Sequence, residues 1–265
     1  RFIKVLAIYG TICLIVLNAL SWIFLMELKK SNFYKPEFVA NGITTNGFDY
    51  VVLGSSTGLT TVDTNVIDSL MGTSGINISI DDSGLSSHFL MLRHFYACGK
   101  KTKLLLLTIT PWDANVQNPH INNNDYRFLP YINGHYVYTY YEEMEEGWFK
   151  PLTFSRYVPL VGTTIYNKEI VFPSIVAALK PNFRNRFDSR GNYSYPPSKV
   201  LPNGQERQFS VNGVNPFLAR IQNFCDENAI RLIIYQTPIY KGTVYFGPNM
   251  GRYEVINHAR FLSDS

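Results

Sequence analysis

The residues best suited to chemistry lie in one short run, Gly54-Ser55-Ser56-Thr57-Gly58. It follows an apolar stretch, Phe48 to Leu53 (FDYVVL), that reads as a buried strand meeting a tight turn. A glycine and hydroxyl cluster at the carboxyl end of a central parallel strand occupies the place where open α/β sheets bind their ligands. A serine held there at the start of a helix has backbone N–H groups around it that can stabilise an oxyanion. No Gly-Lys-Ser/Thr follows, so this is not a Walker-type phosphate loop, and with Ser55 rather than a glycine directly before Ser56 the run is not read as a Gly-x-Ser-x-Gly elbow, although Gly58 fits its second glycine. The alternative is a polar strand-to-helix turn with no reactive role. Two further groups end their strands on the same edge: Trp112 with Asp113, and Thr237 to Tyr240. They are expected either to line a substrate crevice or to cap and pack the strand ends, with Ser55, Trp112, Asp113, Thr237 and Tyr240 as the candidate substrate contacts.

The elements that position these residues follow a strand-helix rhythm. After the first strand, Asp63 is placed to cap a helix with Val66, Ile67 and Leu70 facing inward. Gly75 to Ile80 (GINISI) alternates as a second strand. A helical pattern runs from Gly84 to Gly99, and Lys103 to Ile109 (KLLLLTI) is a third strand. Helix, strand and helix signals resume at Phe217 to Asn228, Arg231 to Gln236 and Arg252 to Phe261. Alternation of this kind predicts a parallel sheet with helices on both faces and strand order 2-1-3-4. Between about residues 114 and 214 lies a stretch with Pro, Asn, Gly and Tyr throughout and no sustained periodicity. It is too long for a simple connection and is expected to be a cap or subdomain inserted after the third strand.

The N-terminus carries a different signal. From Val5 to Met26 no residue is charged, and apolar side chains cover every face of a helix. A bilayer core needs roughly 20 such residues, so residues 1–30 read as a single transmembrane anchor, followed by a linker over 31–47 and an α/β domain over 48–265. A cleaved signal peptide is the competing reading, but Trp22, Phe24, Met26 and Glu27 make no small-residue cleavage site. Basic residues flank both ends of the run, so charge does not decide its orientation. The chain as a whole is 46% hydrophobic, and the residues beyond the anchor can build a core. A net charge of +4 without a basic block gives no nucleic-acid footprint. Cys13, Cys98 and Cys225 show neither a disulfide framework nor metal spacing, and no metal or organic cofactor is implied.

The stretch Phe48 to Asp113, taken whole, resembles the membrane-anchored SGNH-hydrolase-like proteins, including the DltD-like group that works beside membrane-bound O-acyltransferases. The resemblance implies a flavodoxin-like three-layer sandwich with a parallel sheet, held at the inner (cytoplasmic) membrane with its domain in the periplasm or exterior. Ser56 then maps to the nucleophile. The oxyanion block maps to Asn77-Ile78-Ser79 and Asp81-Asp82-Ser83-Gly84, so Asn77 and Gly84 become the oxyanion donors, with Ser79 standing where the family has glycine. Phe187 to Pro196 and Gln236 to Tyr240 also look like stretches from this group. The family's Asp-x-x-His block does not occur in these 265 residues, and its Asp and His are expected beyond Ser265. The implied task is serine esterase or O-acyltransferase chemistry on a cell-envelope or exported polysaccharide. The implied partners are the lipid bilayer, a membrane-bound O-acyltransferase or other envelope complex, and a polysaccharide or acyl-carrier substrate. The alternative is a catalytically inactive membrane-tethered scaffold of an envelope acylation or export complex.

Overall fold

The computed structural model describes residues 1–110, 113, 120–193 and 215–236. The expected site residues Trp112, Thr237 and Tyr240, and the helix expected over Arg252 to Phe261, lie outside the described residues. Two compact units emerge: Arg1–Thr44 with Pro119–Asn185, and Thr45–Asn118 with Arg186–Ser265. Elements are numbered along the whole chain.

The first unit is helical. Its α1 (Phe2–Lys29) is long and apolar enough to cross a membrane, and none of the residues in its most apolar stretch is buried among the described residues. Only Ser21, Leu25 and Leu28, on the last turns, are buried. Asn41 Nδ2 donates to the carbonyls of Lys29 and Ser31 at 2.8 and 2.7 Å, which satisfies acceptors that the helix end leaves open. The short α2 (Lys35–Glu37) runs on into one π-helical turn, Phe38–Gly42. The residues expected as an inserted cap contribute, from Pro119 to Asn185, to this unit with the apolar helix. They form a 3-10 segment (Asp125–Tyr131), α6 (His135–Met144), α7 (Pro151–Phe154), α8 (Pro159–Ile165) and α9 (Asn167–Leu179). Prolines start α7 and α8 and lie inside the 3-10 segment and α9, and α6 has Tyr spread around it, so no sustained helical period of apolar residues shows.

The second unit is a mixed α/β structure. Strands β2 (Tyr50–Leu53), β3 (Gly75–Asn77), β5 (Leu104–Ile109) and β6 (Arg231–Gln236) form one parallel sheet in the order β3-β2-β5-β6. This is the expected 2-1-3-4 order. Two short strands, β1 (Gly47–Phe48) and β4 (Lys101–Thr102), pair in parallel just before β2 and β5. The break between each pair is a charged residue, Asp49 or Lys103, and the two form an exposed ion pair at 2.9 Å. All four residues of β2 are buried, which is why FDYVVL reads as a continuous apolar run. Strand β6, on the sheet edge, alternates exposed and half-buried residues. Helices α3 (Ser56–Thr61), α4 (Thr64–Met71), α5 (Leu85–Ala97) and α10 (Pro216–Glu227) connect the strands. Asp63 caps α4 by accepting from Asn65 N at 2.9 Å, as its position in the sequence suggests.

One buried carboxyl ties the first unit to pH. Glu37 is fully buried, neither of its oxygens finds a hydrogen bond of good geometry, and burial pushes its pKa up to about 8 against the opposing pull of Arg127. The folded chain therefore holds a proton that the unfolded chain releases near 4.5. This contribution to stability is present below about 4.5 and is lost as pH rises to about 8, at up to about 1.4 kcal/mol per pH unit. Glu37→Gln should therefore melt higher than wild type at pH 8 and close to wild type at pH 4.5. Thermal unfolding of the full chain in detergent across that window checks it; equal slopes for the two proteins would contradict the assignment.

Candidate functional site

Ser56 is the first residue of α3, directly past the carboxyl end of β2. It is partly exposed, and no described residue hydrogen-bonds to its hydroxyl. The first-turn N–H groups of Ser56, Thr57 and Gly58 have no acceptor within the helix, whereas Leu59 N already reaches Ser55 O at 3.0 Å. Ser55 stands at the N-cap position in extended backbone, and its hydroxyl lies 3.1 Å from that of Thr57. The two serines are therefore distinct: one hydroxyl is engaged locally and the other is not.

Gly54 and Gly58 flank Ser56 at the two-residue spacing of a nucleophile elbow, which corrects the reading that set this motif aside by expecting a glycine at residue 55. The structure gives each glycine a packing reason. A methyl group at residue 54 would sit 1.8 Å from Thr108 Oγ1 and 2.9 Å from Thr108 O; one at residue 58 would sit 2.1 Å from Thr108 Oγ1 and 3.0 Å from Ser79 Oγ. The start of α3 lies against the neighbouring strand β5, and only glycine fits at both contacts. Ser56 itself is not in the left-handed region, so the strain of a typical elbow is not stored here.

Asn77, expected as an oxyanion donor, is fully buried and spends its amide on the fold. Its Nδ2 donates to Gly58 O at 3.0 Å and Val62 O at 3.2 Å, and its Oδ1 accepts from Ser79 N at 3.0 Å. In this arrangement it clamps α3 to the end of β3 rather than offering a donor to a reacting oxygen. Gly84 fares differently. It is the half-buried N-cap residue of α5, and its N–H makes no hydrogen bond among the described residues. The chain past β3 runs beside the turn, with Ile80 N donating to Gly54 O at 3.0 Å, so Ser56 and Gly84 follow the ends of neighbouring strands.

Asp113 follows the end of β5 on the same edge. Its Oδ2 accepts from Thr110 N and Thr110 Oγ1 at 2.6 and 2.7 Å. Burial, partly offset by those two bonds, pushes its pKa up to about 6. A carboxyl poised there can exchange a proton near neutral pH.

The two described histidines of this unit, His88 and His94, are committed elsewhere. Ser83 Oγ lies 2.5 Å from Ile80 O and 3.1 Å from His88 Nε2. The single hydroxyl proton goes to the carbonyl, so the oxygen accepts from Nε2–H and Nδ1 is left bare, buried and without a partner. Burial pushes the His88 pKa down to about 3, keeping the ring neutral. This pair supports the turn and cannot take a proton from Ser83. His94 Nε2 lies 3.6 Å from Cys98 Sγ. The cysteines are unpaired, and no group of three or more His, Cys, Asp or Glu side chains set to hold a metal occurs among the described residues.

The loop around Asp188 also serves the fold. Asp188 accepts from Arg190 N, Asn192 N and Asn65 Nδ2 at 2.8 to 2.9 Å, and Asn192 Oδ1 accepts from Thr64 N and Oγ1. Arg190 O in turn accepts from Asn77 N at 2.9 Å, covering the outer edge of β3.

Gly58→Ala should lower stability by about 1–3 kcal/mol through overpacking. Because the clash is with a side-chain oxygen, Thr108→Ala in the same chain should recover part of the loss. Gly54→Ala should not be rescued in this way, since Thr108 O also obstructs it. Denaturation midpoints of the single and double variants test this; purely additive losses for Gly58 and Thr108 would contradict it. No protein family, curated protein or solved structure matches the chain, so the functional reading rests on its own residues.

Proposed function

We propose that this chain is a single-pass, membrane-anchored serine acyltransferase or esterase whose α/β unit works outside the cytoplasm on a cell-envelope or exported polysaccharide. It would act alongside a membrane-bound O-acyltransferase. The observation that carries the reading is Ser56: a partly exposed hydroxyl, free of described partners, in the first turn of a helix at the carboxyl edge of a parallel sheet.

In this reading Ser56 Oγ attacks the acyl carbonyl and gives its proton to a base as the C–O bond forms. The tetrahedral oxyanion is held by the N–H groups of Ser56 and Gly84, while Asn77 fixes α3 in place. Collapse of the intermediate breaks the bond to the leaving oxygen, which takes the proton from the base. A polysaccharide hydroxyl or water then attacks the acyl-serine by the reverse sequence. The resemblance assigns the base to a histidine oriented by an aspartate. Asp113, raised to about 6, is the described carboxyl on this edge with a pKa suited to proton exchange.

A second reading, a catalytically silent tethered scaffold, is favoured by two specific observations. Both glycines of the motif are accounted for by packing on Thr108, and no described histidine reaches Ser56. The two readings separate on paired substitutions. Ser56→Ala should abolish envelope acylation by roughly a hundredfold or more while thermal stability stays within about 0.5 kcal/mol of wild type. Ser55→Ala, which removes only the contact to Thr57, should retain most of the activity. Equal and small effects of both on acylation would end the enzyme reading and leave the scaffold.

A further inference from the structure

The helical unit has an outer surface that a water-facing subdomain would not keep. Trp148 is 97% exposed and stacks loosely with Phe149, which continues through Phe154 to Tyr157 with successive ring centroids 5.8 to 6.5 Å apart. Lys150 and Arg156 are interleaved with these rings. Farther on, Ile165, Phe172, Ile175 and Leu179 present a second apolar face on α8 and α9. Aromatic rings mixed with basic residues are what the headgroup level of a bilayer selects, and bare aliphatic side chains suit the acyl region below it.

The way these helices meet α1 sets their depth. The apolar run Val5 to Met26 is about 33 Å long at helical rise, enough to fill a hydrocarbon core of about 30 Å, with Lys29 and Lys30 marking the headgroup end. Leu160 N, in the first turn of α8, donates to Asn18 Oδ1 at 3.1 Å. Ser174 Oγ on α9 donates to Ile170 O at 2.6 Å on its own helix and lies 2.8 Å from Phe24 O of α1, which places the two helices in close contact. Asn18 is about 16 Å along the helix from Lys29, well inside the apolar run. A polar side chain there needs a partner, and α8 supplies one. Between α1 and this region lies a cavity of about 210 Å³. Trp22, Met26 and Pro159 form part of its apolar wall, while Lys29, Lys30 and Arg156 supply cations. That combination suits an acyl chain with an anionic headgroup.

We infer that α7, α8 and α9 are seated in the bilayer beside α1, forming a second, interfacial membrane contact in the leaflet at the Lys29 end. The inference rests on the reading that α1 spans the membrane. The occupant of the apolar face is lipid: the contact is continuous with α1, α8 and α9 pack on α1 through Leu160 N and Ser174, the exposed polar residues Thr164, Asn167 and Lys168 gather where α8 meets α9, and the cations cluster at the level where α1 leaves the core.

The test uses the full chain in phosphatidylcholine and phosphatidylglycerol vesicles, with Cys13 and Cys98 changed to alanine and the buried Cys225 retained. Single cysteines replacing Ile15, Tyr157, Phe172 or the exposed Glu227 are labelled with a polarity-sensitive nitrobenzoxadiazole, and doxyl-labelled lipids serve as quenchers. Quenching at Ile15 should be strongest with the doxyl group deep in the acyl chain. Tyr157 and Phe172 should lose at least half their fluorescence with a shallow doxyl group, and Glu227 should be unaffected. Ile15 quenched with Tyr157 and Phe172 as unaffected as Glu227 would overturn the interfacial contact and leave the anchor standing. No quenching at Ile15 either would remove the anchor reading, and this inference with it. A blue-shifted but unquenched label at Phe172 would mean that protein, a second copy or a partner, covers the face, and would likewise overturn it.

Discussion

Thr108 leaves no room for a side chain at residue 54 or residue 58, and the rest of the candidate site depends on that constraint. Its hydroxyl donates to Leu53 O at 3.3 Å and fills the space where two Cβ atoms would otherwise stand. The chain leaving β2 is thereby held close to β5, and α3 must begin at once. Asn77 completes the arrangement from the other side by gripping the carbonyls of Gly58 and Val62. Truncating a buried amide so engaged strands its partners, at a cost of about 1–3 kcal/mol for each unsatisfied group. Ser56 owes its position to these contacts, although it takes part in none of them through its hydroxyl.

The same economy explains where polar chemistry is spent elsewhere in the α/β unit. Asp188, Asn192 and Arg190 close a loop against α4 and the β3 edge, and Ser83 with His88 braces the turn before α5. A serine-histidine contact is easily taken for a dyad. Here the proton count decides otherwise, because Ser83 has one proton and a carbonyl already holds it. Among the described residues, Ser56, the N–H of Gly84 and the raised carboxyl of Asp113 lie past the ends of three adjacent parallel strands, and the buried Ser79 Oγ beside Gly58 has no partner either.

Much of this was legible in the sequence because it depends on short-range pattern. The four strands, their parallel order, the Asp63 cap and the apolar helix all follow from runs of like residues and their punctuation. The Gly-x-Ser-x-Gly spacing is present in the sequence but is easily passed over when the residue next to Ser56 is a serine, and its cause is not legible there, since Thr108 lies far along the chain and its contact with Gly54 and Gly58 exists only once β2 and β5 pair. Asn77 misleads for a related reason: an asparagine after a strand looks like a free donor until its amide is seen to be spent. The region after residue 119 hid its helices because prolines start two of them and lie inside α9, while the tyrosines of α6 blur its apolar period, and nothing in its composition announces that it belongs with the apolar N-terminal helix. Glu37 gave no sign of burial, standing between Pro36 and Phe38 in a segment rich in polar and aromatic residues alike.

The central claim is that Ser56 can act as a nucleophile, and covalent labelling reports on it most directly. Full-length protein in native membranes, treated with a fluorophosphonate and analysed by peptide mass spectrometry, should carry the phosphonyl group on Ser56, with Ser55 and Ser83 unmodified. Labelling should vanish after heat denaturation, since an unfolded serine is a poor nucleophile. A folded, membrane-inserted protein that shows no adduct at Ser56, or labels Ser83 instead, would contradict the account.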